Sequence, residues 1–176
     1  REPVFRDLTP PCAHACPAAQ DVVDQVRLLA QGRVREAGEG VLAANPFPAT
    51  TGRVCPHPCT AACNRGRMEG AVDVPGVERA LGDALLAERF ELPRRAGSGA
   101  RVAVVGAGPA GLTAAHYLAL GGLDVTLHDR EARPGGLLRS GIPPYRLPRA
   151  VLDAEVERAL RPGVRFVGGR SLGRDL

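Results

Sequence analysis

Five cysteines fall into two groups. Cys12 and Cys16 are followed by Pro17, and Cys55, Cys59 and Cys63 follow later, with Pro56 and Pro58 beside the first two. Every short interval is Cys-x3-Cys. Thiolates gathered at short spacings in proline-stiffened loops suit an iron-sulfur cluster, whose inorganic core needs several soft ligands converging on it. Zinc is the alternative metal, but structural zinc sites usually pair thiols as Cys-x2-Cys. Inert buried thiols are the remaining reading. An odd number of cysteines in a reducing compartment favours ligands over disulfides. His14 and His57 lie beside cysteines and read as loop residues rather than ligands.

A second stretch, Gly106-Ala107-Gly108-Pro109-Ala110-Gly111, carries the dinucleotide fingerprint. Its first glycine makes a tight turn, the second lets backbone approach a pyrophosphate, and the third lets helix and strand pack closely. It follows an apolar strand and opens a helix, so the pyrophosphate would sit at the positive helix end. Asp129, 23 residues after Gly106, ends the next strand, where a carboxylate can accept a bond from a ribose hydroxyl. Gly135-Gly136-Leu137-Leu138 and Gly141-Ile142-Pro143-Pro144-Tyr145-Arg146 come next. Paired glycines permit close approach to a flat ring and Arg146 could reach an anionic group; a plain proline-rich loop explains the same residues equally well. Arg139 and Arg149 read as solvated, and Tyr117 as a packing residue.

The elements that must position these residues follow from proline and periodicity. Pro3, Pro10, Pro11 and Pro17 are too many for a helix interior, which puts Cys12 and Cys16 on a loop. Asp21 is an N-cap for a helix carrying Val22, Val23, Val26, Leu29 and Ala30 up to Gly32, and a second helix runs over 34–44, ahead of Asn45-Pro46. Pro56 and Pro58 keep Cys55 out of a helix, while Pro58 at a first helical position would set Cys59 and Cys63 on one face of a short turn. A third helix follows over 77–90. Residues 94–100 are a linker by composition and mark a domain boundary. Beyond it, strands at 101–105, 124–128 and 164–167 alternate with helices at 109–120 and 147–160, which implies a parallel sheet.

Composition limits the function classes. No Trp and only six aromatic residues are present, so burial must come from Leu, Val and Ala. All 23 basic residues are Arg, and they give a formal net charge of +4. Residues 1–93 hold 10 Arg against 12 acidic residues, and residues 94–176 hold 13 against 7. The excess lies in the half with the glycine-rich turn, which fits a polyphosphate ligand as well as it fits scattered solvated Arg. The total absence of Lys reads as coding bias, not a nucleic-acid footprint. No apolar run approaches a membrane span and no signal-peptide core is present, so a cytoplasmic protein is expected.

In this order the motifs resemble the small (beta) subunit of glutamate synthase and its relatives, including the N-terminal part of dihydropyrimidine dehydrogenase and the larger subunit of NADH-dependent ferredoxin:NADP oxidoreductases. The landmarks are Cys12-x3-Cys16-Pro17, Asn45-Pro46, Gly52-Arg53-Val54-Cys55-Pro56, Cys59-x3-Cys63, Gly106 to Gly111, and Gly135-Gly136-Leu137 through to Arg146-Leu147-Pro148. The resemblance implies an electron-transfer flavoprotein with FAD at Gly106, Gly108, Pro109, Ala110 and Gly111, Asp129 on the adenosine ribose, and Gly136, Leu137 and Arg146 around the flavin. It also implies a 4Fe-4S cluster on Cys16, Cys55, Cys59 and a non-cysteine ligand at Glu78. The competing reading of Glu78 is an exposed helix carboxylate. A second cluster would use Cys12 and Cys63 plus two more cysteines, but Val4 and Asp7 occupy those positions. One cluster is therefore expected, with the second absent or completed from outside the chain.

The expected fold class is α + α/β: an all-helical iron-sulfur domain (1–93), a linker (94–100), and a partial Rossmann-like FAD/NAD(P)-binding parallel-sheet domain (101–176). The chain begins with Arg and stops where another element should begin, so a piece of a longer protein is expected, with its NAD(P)H site and part of its flavin site elsewhere in the parent and no activity expected of the piece alone. The expected activity is electron transfer among NAD(P)H, FAD and a cluster to a partner subunit or ferredoxin-like protein, with no catalytic acid, base or nucleophile assigned. The alternative is a non-catalytic iron-sulfur or zinc docking module joined to a nucleotide-binding regulatory domain.

Overall fold

Asp21 and Asp73 each accept a hydrogen bond from the backbone three residues on, at 3.0 Å, and so start the two capped helices of the N-terminal half. In the computed structural model, which describes residues 9–175, that half contains α1 (Pro11–Ala15), α2 (Val22–Ala30), α3 (Val34–Ala44), α4 (Pro48–Val54), α5 (Pro58–Ala61) and α6 (Val74–Ala87), with a 3-10 turn at Asn64–Arg67. Helices α2 and α3 lie where periodicity places them. The others revise it. Pro10 and Pro11 start α1 instead of preventing it, because a first-turn proline has no intrahelical N–H to lose, so Cys12 is helical and Cys16 is the C-cap. Helix α6 begins three residues before Val77 because Pro75 fits its first turn behind the Asp73 cap, and it ends at Ala87.

Helix α4 was not foreseen, since Thr50, Thr51 and Gly52 are poor helix formers. Tertiary contact makes it. A Cβ on Gly52 would stand 2.5 Å from the Arg79 backbone, and one on Gly82 would stand 2.2 Å from that of Ala49. The two glycines thus let α4 and α6 cross at backbone contact. Arg53 ties the same crossing to Asp83 with bonds of 2.9 and 2.8 Å.

The C-terminal half runs β1 (Arg101–Val105), α7 (Pro109–Leu120), β2 (Asp124–His128), α8 (Leu137–Ser140), α9 (Arg149–Leu160) and β3 (Arg165–Val167). The strands form a parallel sheet in the order β1-β2-β3, with Arg101 opposite Asp124 and Thr126 opposite Arg165. Helix α9 starts two residues after the expected 147 because Pro148 serves as its N-cap. Leu112, Ala115, Leu127, Leu147 and Leu152 are fully buried in one core. Segment 94–100 is held against the turn after α7: Arg95 N–H donates to Leu120 O at 2.8 Å and Ser98 N–H to Gly122 O at 2.9 Å.

The halves share buried contacts. Phe47 packs into the sheet-side core. Glu155 of α9, with no exposed surface, accepts from the N–H groups of Ala49 and Thr50 at 2.8 and 2.7 Å. Its partner Arg158 donates to Glu155 at 3.0 Å and to Pro46 O at 2.9 Å. Burial pushes the Glu155 carboxyl up and the Arg158 guanidinium down. Tyr117, read as a packing residue, also donates its hydroxyl to Leu42 O at 3.0 Å, and burial pushes it up to about 12.

Candidate functional site

The thiols divide between two cavities. Cys16, Cys55 and Cys59 line one of about 180 Å³, together with Gln20, Asn45, Thr51, His57 and Glu78. Cys12 and Cys63 line another of about 320 Å³, walled by Val22, Val23, Val26, Val72 and Val74. Cys59 and Cys63 therefore do not share a face: α5 ends at Ala61, and Cys63 leads into the 3-10 turn on the other side. Val4 and Asp7 lie outside the described residues.

Each wall of the smaller cavity has a local cause. Helix α4 delivers Cys55 as its C-cap, with Cys55 N–H donating to Thr51 O at 2.9 Å. Pro58 opens α5 and places Cys59 in its first turn, buried beside Val22 and Val74. Burial pushes the Cys59 thiol up, against a hydrogen bond from the Thr60 backbone. A thiolate there needs a cation beside it to offset the loss of water.

Glu78 is no exposed carboxylate: it is 7% accessible, on the face of α6 turned to the cavity. Its Oε1 accepts from Gln20 Nε2 at 2.6 Å and Asn45 Nδ2 at 2.8 Å. Gln25 orients Gln20 at 3.1 Å, and Asn45 also donates to Thr51 Oγ1 at 2.7 Å. Among the described residues no hydrogen bond reaches Oε2. That leaves one oxygen anchored and one available to a metal, the usual arrangement of a ligating carboxylate and its supports. Gln20 escaped sequence reasoning because nothing in its loop position marks it. Asn45 carried a signal only as half of Asn45-Pro46.

The donor set fits an iron-sulfur core. Among the described residues no three His, Cys, Asp or Glu side chains converge closely enough for a single ion. Three thiols and one carboxylate stand instead around a void, as a polynuclear core requires. The second cavity offers two thiols, a largely apolar wall, and Asn64 and Arg65. Its Cys63 thiol is held below the ordinary thiol range, chiefly by a hydrogen bond from the Val72 backbone.

At the glycine-rich turn, Gly106 takes φ +98°, a conformation L residues rarely adopt. A Cβ on Gly111 would lie 1.7 Å from Gly106 O, so this position closes the turn onto α7. Gly108 has open space where its Cβ would be, with Pro109 and Ala110 in the first turn of α7 behind it. Asp129 accepts from the N–H of Ala107 and, at 2.8 Å, from that of Glu131. A cavity of about 360 Å³ is lined by Gly106, Asp129, Arg130 and Arg170.

The glycine pair is built onto this turn. Gly135 N–H donates to Ala107 O at 2.8 Å, and a Cβ on Gly136, at φ +49°, would stand 2.7 Å from Gly108 Cα. Leu137, Tyr145 and Arg146 are exposed along the next segment. Arg139 and Arg149 are not merely solvated. Arg139 donates to Pro134 O at 2.7 Å and pairs with Asp153, tying α8 and the segment before it to α9, and Arg149 donates to Ile142 O at 2.7 Å, holding the loop between α8 and α9.

Residues 7–90 match the family described as dihydropyrimidine dehydrogenase domain II, 4Fe-4S cluster, and residues 104–155 match the NAD(P)-binding Rossmann-like domain. The chain is 39% identical over 169 residues to the glutamate synthase [NADPH] small chain of Mycobacterium tuberculosis, covering 95% of this chain and 35% of that one. It is 37% identical over 170 residues to the NAD-dependent dihydropyrimidine dehydrogenase subunit PreT of Escherichia coli O157:H7, covering 94% and 41%. It is 34% identical over 172 residues to the NADPH-Fe(3+) oxidoreductase subunit beta of Geobacter sulfurreducens, covering 96% and 26%. The chain thus spans well under half the length of these relatives.

Proposed function

We propose, from a chain whose residues 7–90 belong to the dihydropyrimidine dehydrogenase domain II 4Fe-4S family and whose residues 104–155 belong to the NAD(P)-binding Rossmann-like family, that it forms the cluster-binding and FAD-binding parts of a cytoplasmic NAD(P)H oxidoreductase. Electrons leave for a partner subunit or ferredoxin-like protein. The observation that carries the reading is the gathering of Cys16, Cys55, Cys59 and Glu78 around one cavity. The likeness to a glutamate synthase small chain agrees with it. No helix among the described residues is long and apolar enough to cross a membrane.

Cys16, Cys55, Cys59 and the Oε2 of Glu78 would hold a 4Fe-4S cluster, with Gln20 and Asn45 fixing the carboxylate. Gly106, Gly108 and Gly111 would bring backbone N–H groups to the FAD pyrophosphate at the start of α7. Asp129 already receives two backbone N–H groups, and an ionised carboxylate retains acceptor capacity for a ribose hydroxyl. Gly136, pressed on Gly108, would let the loop lie close to the flavin, with Leu137 beside it and Arg146 offering charge. FAD, when bound, accepts a hydride and releases electrons singly, and the cluster carries them one at a time. The protein's part is to hold both groups and to shape their potentials through hydrogen bonds and burial.

A Cys55→Ala variant of that whole oxidoreductase tests this reading. It should bind FAD as the wild type does and fail to pass electrons from flavin to an external acceptor such as ferricyanide-oxidised ferredoxin. Full transfer in the variant, or a wild type that binds no FAD, would contradict it.

A further inference from the structure

Among the described residues five buried side-chain polar atoms lack a hydrogen-bond partner: Thr50 Oγ1, His57 Nε2, Thr60 Oγ1, His128 Nδ1 and Arg158 Nη1. Of these residues only His57 lines the cavity shared by Cys16, Cys55, Cys59 and Glu78. Polar atoms buried without a partner are rare, and one in the wall of a ligand site points to the ligand as its partner.

The backbone of His57 is equally unusual. It takes φ +54° and ψ +57°, the left-handed region, which an L side chain occupies at a cost unless its surroundings impose it. In that conformation its N–H points at Cys55 Sγ, 3.4 Å away. The turn is closed behind it by Thr60 N–H donating to His57 O at 3.0 Å. The strained backbone thus turns its N–H to Cys55, and the residue that carries the orphaned ring nitrogen lines the cavity of the three thiols.

We infer that His57 is a hydrogen-bond donor to the sulfur of the cluster, its backbone N–H serving the Cys55 thiolate and its Nε2–H serving a sulfide or thiolate across the cavity. The assignment rests on the cluster reading above. Sulfide and thiolate carry no proton to donate, so the imidazole must carry a proton on Nε2 to satisfy both sides. Hydrogen bonds to cluster sulfur favour the reduced form, which carries more negative charge, and therefore raise the reduction potential. His57 is on this account a positioning and tuning residue, not a ligand.

The test uses the full chain, reconstituted anaerobically with iron and sulfide. His57→Phe, which keeps a ring but removes the side-chain donor, should retain the iron content of the wild type. At a fixed poise its reduced-to-oxidised ratio should fall about tenfold, or about 59 mV for a one-electron couple. His57→Gln, which restores an N–H, should recover part of that shift. Wild-type chain grown with 15N-histidine should show, once reduced, a weak nitrogen coupling to the cluster by electron-nuclear double resonance. This measurement does not depend on how any variant folds. Iron bound with no such coupling, or an unchanged potential in His57→Phe, overturns the assignment alone. A chain that takes up no iron overturns it together with the cluster reading.

Discussion

The two thiol cavities differ in what surrounds the sulfur. The one holding Cys16, Cys55 and Cys59 includes a buried carboxylate whose orientation is fixed by Gln20 and Asn45, and its wall is braced through α4 by Glu155 of the other half. The one holding Cys12 and Cys63 has two thiols, five valines, Asn64 and Arg65, with Val23 53% and Val26 38% exposed, and no carboxylate among its described lining residues. Thiol number alone does not explain the contrast. A site for a charged inorganic core needs its remaining ligand held in place by its neighbours, and among the described residues only the first cavity has a carboxylate so held.

The largest expected effect separates the cavities outright. Cys55→Ala and Cys59→Ala should abolish iron binding on reconstitution, whereas Cys12→Ala and Cys63→Ala should leave iron content unchanged; equal losses across the four, by iron analysis, would break the contrast. Next comes Glu155→Ala. It leaves Arg158 buried without its counter-charge and uncaps α4, so it should cost about 3–5 kcal/mol in urea unfolding, and it should weaken retention of iron on the Cys55 side. A loss under about 1 kcal/mol would mean that the halves are not braced there.

Glu78→Ala should lower iron occupancy and, in the metal-free chain, cost about 1–3 kcal/mol by leaving the buried Gln20 Nε2 without its acceptor and taking one of two acceptors from Asn45 Nδ2. Normal iron and normal stability together would remove Glu78 from the site. The smallest effect is a pH slope. Burial holds the Glu155 carboxyl above its ordinary 4.5, so the folded chain binds this proton more tightly than the unfolded chain does. Its contribution to stability is fully present below about 4.5 and is lost as pH rises through the higher folded-state value. Urea unfolding across that window should show the decline in wild type and a flatter profile in Glu155→Gln.

The C-terminal half was legible in the sequence because its signals are local. Gly106 to Gly111 between an apolar strand and a helix, with Asp129 after the next strand, specifies strand–turn–helix with little help from elsewhere. The helical half was less so. Proline counting placed Cys12 on a loop, although Pro10 and Pro11 sit where a helix accepts proline. Helix α4 is made by contact with α6 at Gly52 and Gly82 and by the distant carboxylate of Glu155, none of which leaves a periodic trace. The sorting of thiols followed the same division. The four-residue spacing of Cys59 and Cys63 suggested one face, but α5 is four residues long and ends before Cys63. The supports of Glu78 come from three elements and so had no motif to announce them.

Iron and acid-labile sulfide analysis of the anaerobically reconstituted chain, read beside its visible spectrum, bears most directly on the contrast between the cavities. About four irons and four sulfides per chain, as one cubane holds, with a broad band near ~400 nm that dithionite bleaches, is the predicted result. About eight irons would mean that the cavity of Cys12 and Cys63 also holds a cluster, and a colourless chain without iron would contradict the cluster site altogether.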